Sequence, residues 1–360
     1  MPRRLFTIAI LAAMLLLPGC IRQRGYAQIG GFAQGGTWTV KYNTAGVKPL
    51  PAEVQSGVEA ILADIDRTLS GYNRSSELSR LNAGDTIVPS AILIGLYNRS
   101  RLIWEQTGGA FDVAAGPLFD IWGFGFKSGE FPDDDAVSAA LAVSGMGRLV
   151  PRMEDALLSD GRLCASRLLA TPASTIPQLN FNAIAQGYSC DTVASYLANL
   201  GVKDMLVDIG EILCRGVNAS GKPWRIGVDR PTDGNFAPGA DLDGFWESAG
   251  APVASLAPAE APFQGIVTSG NYRKYYVRDG VKYSHTIDPR TGRPAENSLL
   301  SATIVAPIAE QADALATYCM VIGLEAARDF IESHPGIDGS LIFRTPDGSM
   351  SEWASLGFGK

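Results

Sequence analysis

The spacing of apolar residues predicts several helices along the chain. Between Pro51 and Gly71, apolar residues recur every three or four positions, as on the buried face of a helix. A second such segment runs from about Ser90 to Thr107 and stops at two glycines, which suit the left-handed turn at a helix end. Further helices are predicted within residues 132–142, before Gly201, over 308–321 and over 324–333.

Alternation of apolar and polar residues predicts strands between these helices. TWTVKY (37–42) is predicted to be an edge strand, and TSG (268–270) a turn before a strand. Other strands are predicted in DMLVDIG (204–210), WRIGVDRP (224–231) and LLSATIVAP (299–307), strand pieces in 157–169, and hairpins in 275–285 and 341–354. Hairpins mixed with helices, rather than regular βαβ units, predict an α+β fold.

Two segments lack a clear period. Residues 110–126, AFDVAAGPLFDIWGFGF, are rich in aromatic residues and glycine, so we expect a packed loop that forms part of a binding site. Residues 231–262 are rich in Gly, Ala, Pro and Asp, which is typical of an inserted surface loop.

The first twenty residues, MPRRLFTIAILAAMLLLPGC, have the charge order and short apolar run of a secretory signal. The ending resembles a bacterial lipoprotein signal, which implies that Cys20 is lipidated and anchors the protein in the cell envelope on the periplasmic side. An ordinary signal peptide with a chance cysteine is the alternative. Ile21, in place of aspartate, resembles outer-membrane sorting. We therefore expect a signal peptide over 1–19, a tether over 20–34 and a folded domain over 35–360.

Charge and cysteine content exclude some classes of function. The net charge is −7 and no basic stripe is present, which argues against nucleic acid as a partner. The four cysteines after Cys20 have no C-x-x-C spacing, so a zinc cluster is not expected. We expect buried free thiols, although spacing alone does not assign or exclude a disulfide.

Asp313 and Thr317 lie four positions apart in a predicted helix, so their side chains share one face. A carboxylate and a hydroxyl in this arrangement can bind a hard cation such as Mg²⁺, which prefers oxygen ligands and leaves positions open for phosphate. Small neighbours, Ala312, Ala314 and Ala316, are expected to leave room for a bulky anion. A helix-dipole partner and a hydroxyl bonded back to the helix are the structural alternative.

Seven segments occur in an order that resembles the ApbE family, the FAD:protein FMN transferases. They are GGTWTVKY, YNRSSELSRLN, GAFDVAAGPLFDIWGFG, FNAIAQGYSCD, IVTSGNYRKYY, YSHTIDPRTGRP and ADALATYCMVIG. The resemblance covers the chain from about Gly35 to its end. It implies a T-fold-like arrangement of antiparallel sheets packed with helices. It also implies Mg²⁺-dependent cleavage of FAD, transfer of FMN to a threonine or serine of a target protein, and release of AMP.

The resemblance also implies which residues form the site. A magnesium site would use the Asp313 and Thr317 side chains with backbone oxygens of Ala183 and Ala316. FAD would contact the residues at the matching positions, namely Gly35, Tyr72, Asn73, Arg74, Asp112, Gln186 and Ile287. Thr268–Gly270 would have an auxiliary place near the active centre.

His285 is one of two histidines in the chain. It lies in the most specific of the family segments, and an imidazole has a pKa suited to taking a proton from an attacking hydroxyl. We therefore expect His285 to act as a general base or transition-state donor, with Asp288 orienting it or binding the metal through water. Asp288 could instead only form the turn, and His334 is predicted to end a helix.

Two positions depart from the family pattern and leave other functions open. Gln186 stands where lysine is common, and Glu211 replaces a glycine. One alternative is a Mg²⁺-dependent FAD pyrophosphatase that makes FMN and AMP, and another is a lipoprotein that binds FAD without chemistry. The expected target is an exported or membrane-bound electron-transfer subunit.

Overall fold

The computed structural model describes residues 25–126, 131–170, 176–229, 231, 242–247, 262–272, 275–278 and 280–358. Most strands in these ranges belong to one sheet. Its members in chain order are β1 Tyr26–Ala33, β2 Gly36–Asn43, β5 Met205–Asp208, β6 Ile212–Arg215, β9 Gln264–Gly270, β14 Leu299–Ala306, β15 Asp338–Arg344 and β16 Met350–Ala354. They lie side by side in that same order, and every neighbouring pair is antiparallel.

The remaining strands form short two-stranded pairs. They are β3 Thr86–Ile87 with β4 Leu163–Cys164, β7 Arg225–Asp229 with β8 Leu242–Glu247, β10 Tyr275–Arg278 with β11 Val281–Ser284, and β12 Ile287–Asp288 with β13 Arg293–Pro294. The predicted hairpins are thus present as β10–β11 and β15–β16. Strand β8 lies within the segment predicted to be an inserted loop, most of which falls outside the described residues.

Six helices lie where the apolar spacing predicts them, and two short helices, over residues 77–82 and 116–121, were not predicted. They are α1 Pro51–Leu69, α2 Glu77–Asn82, α3 Ala91–Gln106, α4 Gly116–Ile121, α5 Asp134–Val143, α6 Ala185–Asn199, α7 Ala309–Ile322 and α8 Leu324–Ser333. Side chains of Ser76, Ser90 and Asp133 accept a backbone N–H at the starts of α2, α3 and α5. No helix in the described ranges is long and apolar enough to cross a membrane.

Two local predictions at the strands are wrong. TWTVKY is not an edge strand, because residues 26–33, which we assigned to the tether, form β1 and pair with it along its full length. TSG is not a turn, because Thr268–Gly270 complete β9 and pair with β14. In both cases glycines that suggested irregular backbone lie inside regular strands.

One face of the sheet is covered by helices. Helix α7 packs on β9 and β14, while α6 packs on β5 and β6 and also on α7 and α1. Apolar side chains such as Val267, Ile304 and Leu315 fill the layer between the sheet and α7. The opposite face carries a smaller apolar cluster around Trp224 and Ile226, at the β7–β8 hairpin.

A second core lies beside the helical layer. Helices α2 and α3 and the segment 146–169 pack around buried residues such as Leu93, Tyr97 and Phe181. The segment 110–126, predicted to be a loop, contains the short helix α4 and passes between this core and the cluster around Trp122. Cys164, Cys190, Cys214 and Cys319 are free thiols, and the last three are buried as expected.

Candidate active site

A cavity of about 290 Å³ lies where the end of β9 meets the starts of α6 and α7. Segments that are far apart in the sequence form its wall. They contribute Ala110–Val113, Phe119, Phe124, Asn180, Asn182, Ala183, Gln186, Glu211, Thr268–Gly270, His285–Ile287, Pro289, Asp313 and Thr317. Hydroxyl, carboxyl and amide groups therefore line the same space as several aromatic rings.

Asp313 and Thr317 project from one face of α7 into this cavity, as their spacing predicts. The Asp313 carboxylate is buried and accepts a hydrogen bond of 3.0 Å from the backbone N–H of Gly187 in α6. The Thr317 hydroxyl lies 3.4 Å from that of Ser269. Helix packing thus fixes one carboxylate and two hydroxyls at the end of a central strand.

Burial raises the pKa of Asp313 from its usual 3.8 to about 7. The Gly187 N–H opposes this rise, whereas the charges of Glu310 and Asp191 add to it. A carboxylate that is so costly to ionise gains from a cation placed against it. The donor set here, a carboxylate with hydroxyl and backbone oxygens, is the type that suits Mg²⁺.

No group of three or more His, Cys, Asp or Glu side chains gathers as a metal site within the described ranges. A cation at Asp313 would therefore depend on the Thr317 hydroxyl, on backbone oxygen near Ala183 and on oxygens of the ligand itself. This fits a metal that is held jointly by protein and phosphate.

The alanines around Asp313 do not provide the expected room. Ala312, Ala314 and Ala316 are fully buried and pack in the core, and none of them lines the cavity. The prediction of space beside them is wrong because they face the sheet and the neighbouring helices rather than the cavity. Of the two backbone positions implied for the metal, the structure brings Ala183 to the cavity but not Ala316.

His285 lies directly after β11 and lines the cavity. Its ring contacts Phe124 edge-on at 6.3 Å between centroids, and Phe124 stacks on Tyr276, which stacks on Tyr283. These aromatic contacts connect the β10–β11 hairpin to the segment after α4 and hold the histidine at the wall.

Asp288 is not at the wall. Its carboxylate pairs with the Arg290 guanidinium at 2.9 Å through each oxygen and accepts the Arg290 backbone N–H. Its backbone oxygen accepts the N–H groups of Thr291 and Gly292. The structure thus favours the turn-forming alternative over a contact between Asp288 and His285.

Asp112, Gln186 and Ile287 line the cavity, as the resemblance implies. The Asp112 carboxylate accepts the backbone N–H groups of Ala114 and Met146, while burial raises its pKa to about 6. Gln186 lies in the first turn of α6 with its amide nitrogen 3.4 Å from the Ile209 carbonyl oxygen. Glu211, the other departure from the family pattern, also reaches the wall.

The other implied flavin contacts lie outside this cavity wall. Gly35 forms the β1–β2 turn at a φ of +81° with open space around it. Tyr72 is 67% exposed, with its ring edge-on to Phe126 at 5.1 Å. The Asn73 side chain donates a hydrogen bond to the Asp66 carboxylate and accepts one from the backbone N–H of Ser75. These bonds order the turn that contains Arg74.

Sequence reasoning did not single out several wall residues. Phe111, Phe119 and Phe124 come from the aromatic segment 110–126, which we expected to form part of a binding site. Asn180 and Asn182 precede α6. The aromatic run was the available signal for the first group. A lone asparagine in an extended segment carries no comparable signal, because turns use the same residue.

The fold and the cavity together define a class: an α+β protein whose ligand site combines oxygen donors with aromatic rings beside a buried carboxylate. Comparison with known proteins agrees with this class. The ApbE family model matches residues 34–341, and the chain belongs to the ApbE family.

Two curated relatives match over nearly their whole length. A protein of Vibrio cholerae named FAD:protein FMN transferase is 32% identical over 98% of this chain and 97% of its own. One of Klebsiella pneumoniae with the same name is also 32% identical, over 98% of this chain and 96% of its own.

Solved structures show the same fold. The flavin transferase ApbE from Vibrio cholerae superposes with a TM-score of 0.73 at 29% identity, covering 92% of this chain and 98% of that one. The apo form of the Pseudomonas stutzeri flavinyl transferase ApbE gives 0.72 at 31% identity, covering 93% and 96%. The α+β fold of mixed helices and antiparallel sheet is thereby confirmed.

Proposed function

We propose that this protein transfers FMN from FAD to a threonine or serine hydroxyl of a target protein, with Mg²⁺ bound and AMP released. The observation that carries this proposal is the shared cavity of Asp313, Thr317, Ala183 and His285. A cation donor set and a proton carrier in one space are what phosphoryl transfer to a hydroxyl requires. The names of the curated relatives support the same reaction.

Asp313 and Thr317 would hold Mg²⁺ together with the backbone of Ala183. When bound, the ion supplies positive charge that offsets the diphosphate of FAD and the charge growing on the AMP leaving group. Asp313 then acts as an ionised ligand, although burial favours its neutral form in the free protein. Ser269 supports Thr317 through the neighbouring hydroxyl.

His285 would accept the proton of the attacking hydroxyl as the new oxygen–phosphorus bond forms. The bond between that phosphorus and the AMP oxygen breaks, and the imidazole later gives its proton to solvent. Phe111, Phe119 and Phe124 offer apolar wall for one ring system of FAD. The rest of the dinucleotide would extend from the cavity, where the resemblance places Gly35, Tyr72, Asn73 and Arg74.

A direct experiment is flavin transfer in a bacterial envelope extract. We expect the protein, FAD and MgCl₂ to yield peptides that carry FMN on threonine or serine, identified by mass spectrometry. Asp313→Asn should abolish labelling, whereas Asp329→Asn, at an exposed position of α8, should preserve it. Absence of any FMN-carrying peptide with the unmodified protein would contradict the proposal.

Hydrolysis of FAD is a second candidate, because Glu211 brings a further carboxylate to the wall where the family commonly has glycine. Water would then replace the target hydroxyl. Incubation with FAD and MgCl₂ alone separates the candidates: rapid AMP release without an acceptor indicates a pyrophosphatase. Intact FAD that stays bound under the same conditions indicates a binding protein.

We also propose that Cys20 carries a lipid that anchors the protein in the cell envelope, where an exported or membrane-bound electron-transfer subunit would be the target. The signal-like start of the sequence supports this. Labelling of cells with a palmitate analogue should tag the protein, and Cys20→Ser should remove the tag.

A further inference from the structure

The turn between β1 and β2 contains an unfavourable backbone conformation. Gln34 and Gly35 form a two-residue turn with φ angles of +53° and +81°. Hairpin turns with two positive φ angles favour Asn-Gly, because asparagine and glycine tolerate this conformation better than other residues. In the described part of the chain, Gln34 is the one residue other than glycine with a positive φ. Such a residue persists where other contacts hold it in place.

A hydrogen bond to α6 holds Gln34 in this conformation. The Gln34 amide nitrogen donates to the Ser189 hydroxyl oxygen at 2.6 Å. Ser189 is fully buried, and its hydroxyl donates in turn to the Ala185 carbonyl oxygen at 2.7 Å. Ala185 is the first residue of α6, and the adjacent Gln186 lines the active-site cavity. The turn is therefore tied to the start of α6 beside the cavity.

The outer side of the turn is open. Gly35 is exposed, and a methyl carbon added to Gly35 or Gly36 would meet no described atom within 4 Å. Further along β2, in contrast, Trp38 and Val40 are buried in the core. The hairpin thus has a body that is fixed by packing and a glycine tip that is accessible to a ligand.

The side chain at position 34 is suited to placing the tip rather than to forming the turn. Asparagine would form the same turn with less strain, but its side chain is one methylene shorter. It would not reach the Ser189 hydroxyl from the same backbone position. Glutamine accepts the strain and makes the bond, and strain that is held in this way indicates a functional role.

We propose that Gln34 is a positioning residue for FAD, because its bond to Ser189 holds the Gly35 backbone where the dinucleotide extends from the cavity. This inference rests on the proposed function, which places FAD there. Gln34 does not take part in the transfer itself. A turn that samples other positions would bind FAD only in the fraction of molecules that have the right one. Loss of the bond therefore weakens FAD binding and leaves the chemical step intact.

The first test is Gln34→Asn, which keeps a residue suited to a positive φ and removes the bond to Ser189. We expect the KM and Kd for FAD to rise about three- to tenfold, the effect of losing one hydrogen bond. The kcat for the acceptor found in the envelope labelling experiment should stay nearly unchanged. A purely structural role predicts a well-formed turn with unchanged FAD binding.

The second test removes the acceptor of the bond. Ser189→Ala should raise the KM for FAD as much as Gln34→Asn, and the double variant should be no weaker than the weaker single variant, because both changes break one interaction. Thr192→Ala is the matched control. The Thr192 hydroxyl bonds back to the Tyr188 carbonyl oxygen in the same helix at 2.8 Å, so its loss should leave the KM unchanged.

Hydrogen exchange gives a measurement on the unmodified protein. A saturating concentration of FAD with MgCl₂ should slow exchange of the backbone amides of residues 34–36, and Gln34→Asn should reduce this protection. Unchanged FAD affinity in Gln34→Asn would overturn the proposal. So would equal losses of affinity in Ser189→Ala and Thr192→Ala, which would indicate a general loosening of α6.

This inference and the proposed function fail separately. If the unmodified protein neither binds FAD in the presence of MgCl₂ nor labels an acceptor, the proposed function itself is wrong. If it does both and Gln34→Asn binds FAD equally tightly, transfer stands and the hairpin alone sets the position of the turn.

Discussion

Asp313 combines two properties that oppose each other in the metal-free protein. Its carboxylate is buried against α6, where the charge is costly, and it faces a cavity where a cation would need that charge. Functional sites commonly hold such groups at the expense of stability. The cost can be measured without knowing the acceptor.

We predict that Asp313→Asn stabilises the metal-free protein at neutral and alkaline pH. Burial raises the Asp313 pKa from 3.8 to about 7, so between these values the native protein keeps a proton that the unfolded chain has lost. Its contribution is present below about pH 4 and is lost as pH rises through about 7. Urea unfolding should show the variant more stable by about 1–3 kcal/mol at pH 8.

The difference should shrink towards zero near pH 4, because both proteins are then neutral at this position. A variant that is less stable than the unmodified protein at pH 8 would contradict this account of the buried carboxyl group. Asparagine keeps an oxygen that can accept the Gly187 N–H, so loss of that hydrogen bond does not confuse the comparison.

His285 and His334 form a natural comparison, since they are the two histidines of the chain. His285→Gln should lower the rate of FMN transfer by about 10²–10⁴-fold, the usual range for a general base, with FAD affinity nearly unchanged. His334→Gln should leave the rate unaffected, because this ring stacks on Phe330 at the end of α8. Equal rates for the two variants would remove His285 from the mechanism.

At the scale of elements, the contact between α6 and α7 positions the face of α7 that carries Asp313 and Thr317. Gly187 in α6 lies so close to the start of α7 that an added methyl carbon would be 2.3 Å from the Ala309 carbonyl oxygen. Asp191, one turn further along α6, accepts the backbone N–H groups of Ala309 and Glu310 and so caps α7. The two helices thus hold Asp313 through a close approach and a shared cap.

We predict that Gly187→Ala lowers the free energy of unfolding by about 1–3 kcal/mol through overpacking, and also weakens Mg²⁺ binding, because α7 must move. Gly95→Ala in α3 is the matched control. There the nearest atom is the flexible Arg99 guanidinium at 3.1 Å, and alanine favours a helix by up to about 1 kcal/mol. Chemical denaturation and Mg²⁺ titration test both variants, and equal stability of the two would contradict the close-contact account.

Helices were easier to predict than strands for a physical reason. Long amphipathic helices such as α1 and α3 carry their periodicity over many residues, and their caps mark the ends. Strand β1 contains two adjacent glycines and little alternation, so its pairing with β2 is visible only in the fold. Thr268–Gly270 looked like a turn because local chemistry does not reveal that β14 lies alongside.

At the scale of the whole molecule, the cavity is assembled from six separate parts of the chain. Asp313 and Thr317 were predictable as a pair from helical spacing alone, whereas their meeting with Ala183 and His285 was expected only from the order of family segments. The outer contacts expected for Tyr72 and Gly35 stay predictions, because the ligand that would bring them into use is not part of the fold.

We predict that FAD and Mg²⁺ stabilise the whole protein cooperatively. Because each ligand would contribute oxygens or charge to the other, the rise in Tm with both should exceed the sum of the separate rises. EDTA should reverse the excess, and Asp313→Asn should abolish it. Purely additive rises in Tm would contradict a site that the metal and the dinucleotide share.

Strand β1 begins at Tyr26, which has a consequence for how the protein would work at a membrane. If Cys20 bears a lipid, six chain steps separate the anchor from the sheet edge, a reach of at most roughly 20 Å. Such a short linker would keep the folded domain close to the lipid headgroups of the bilayer. Soluble acceptors would then have to come down to the lipid surface, whereas integral membrane acceptors would meet the enzyme by diffusing in two dimensions.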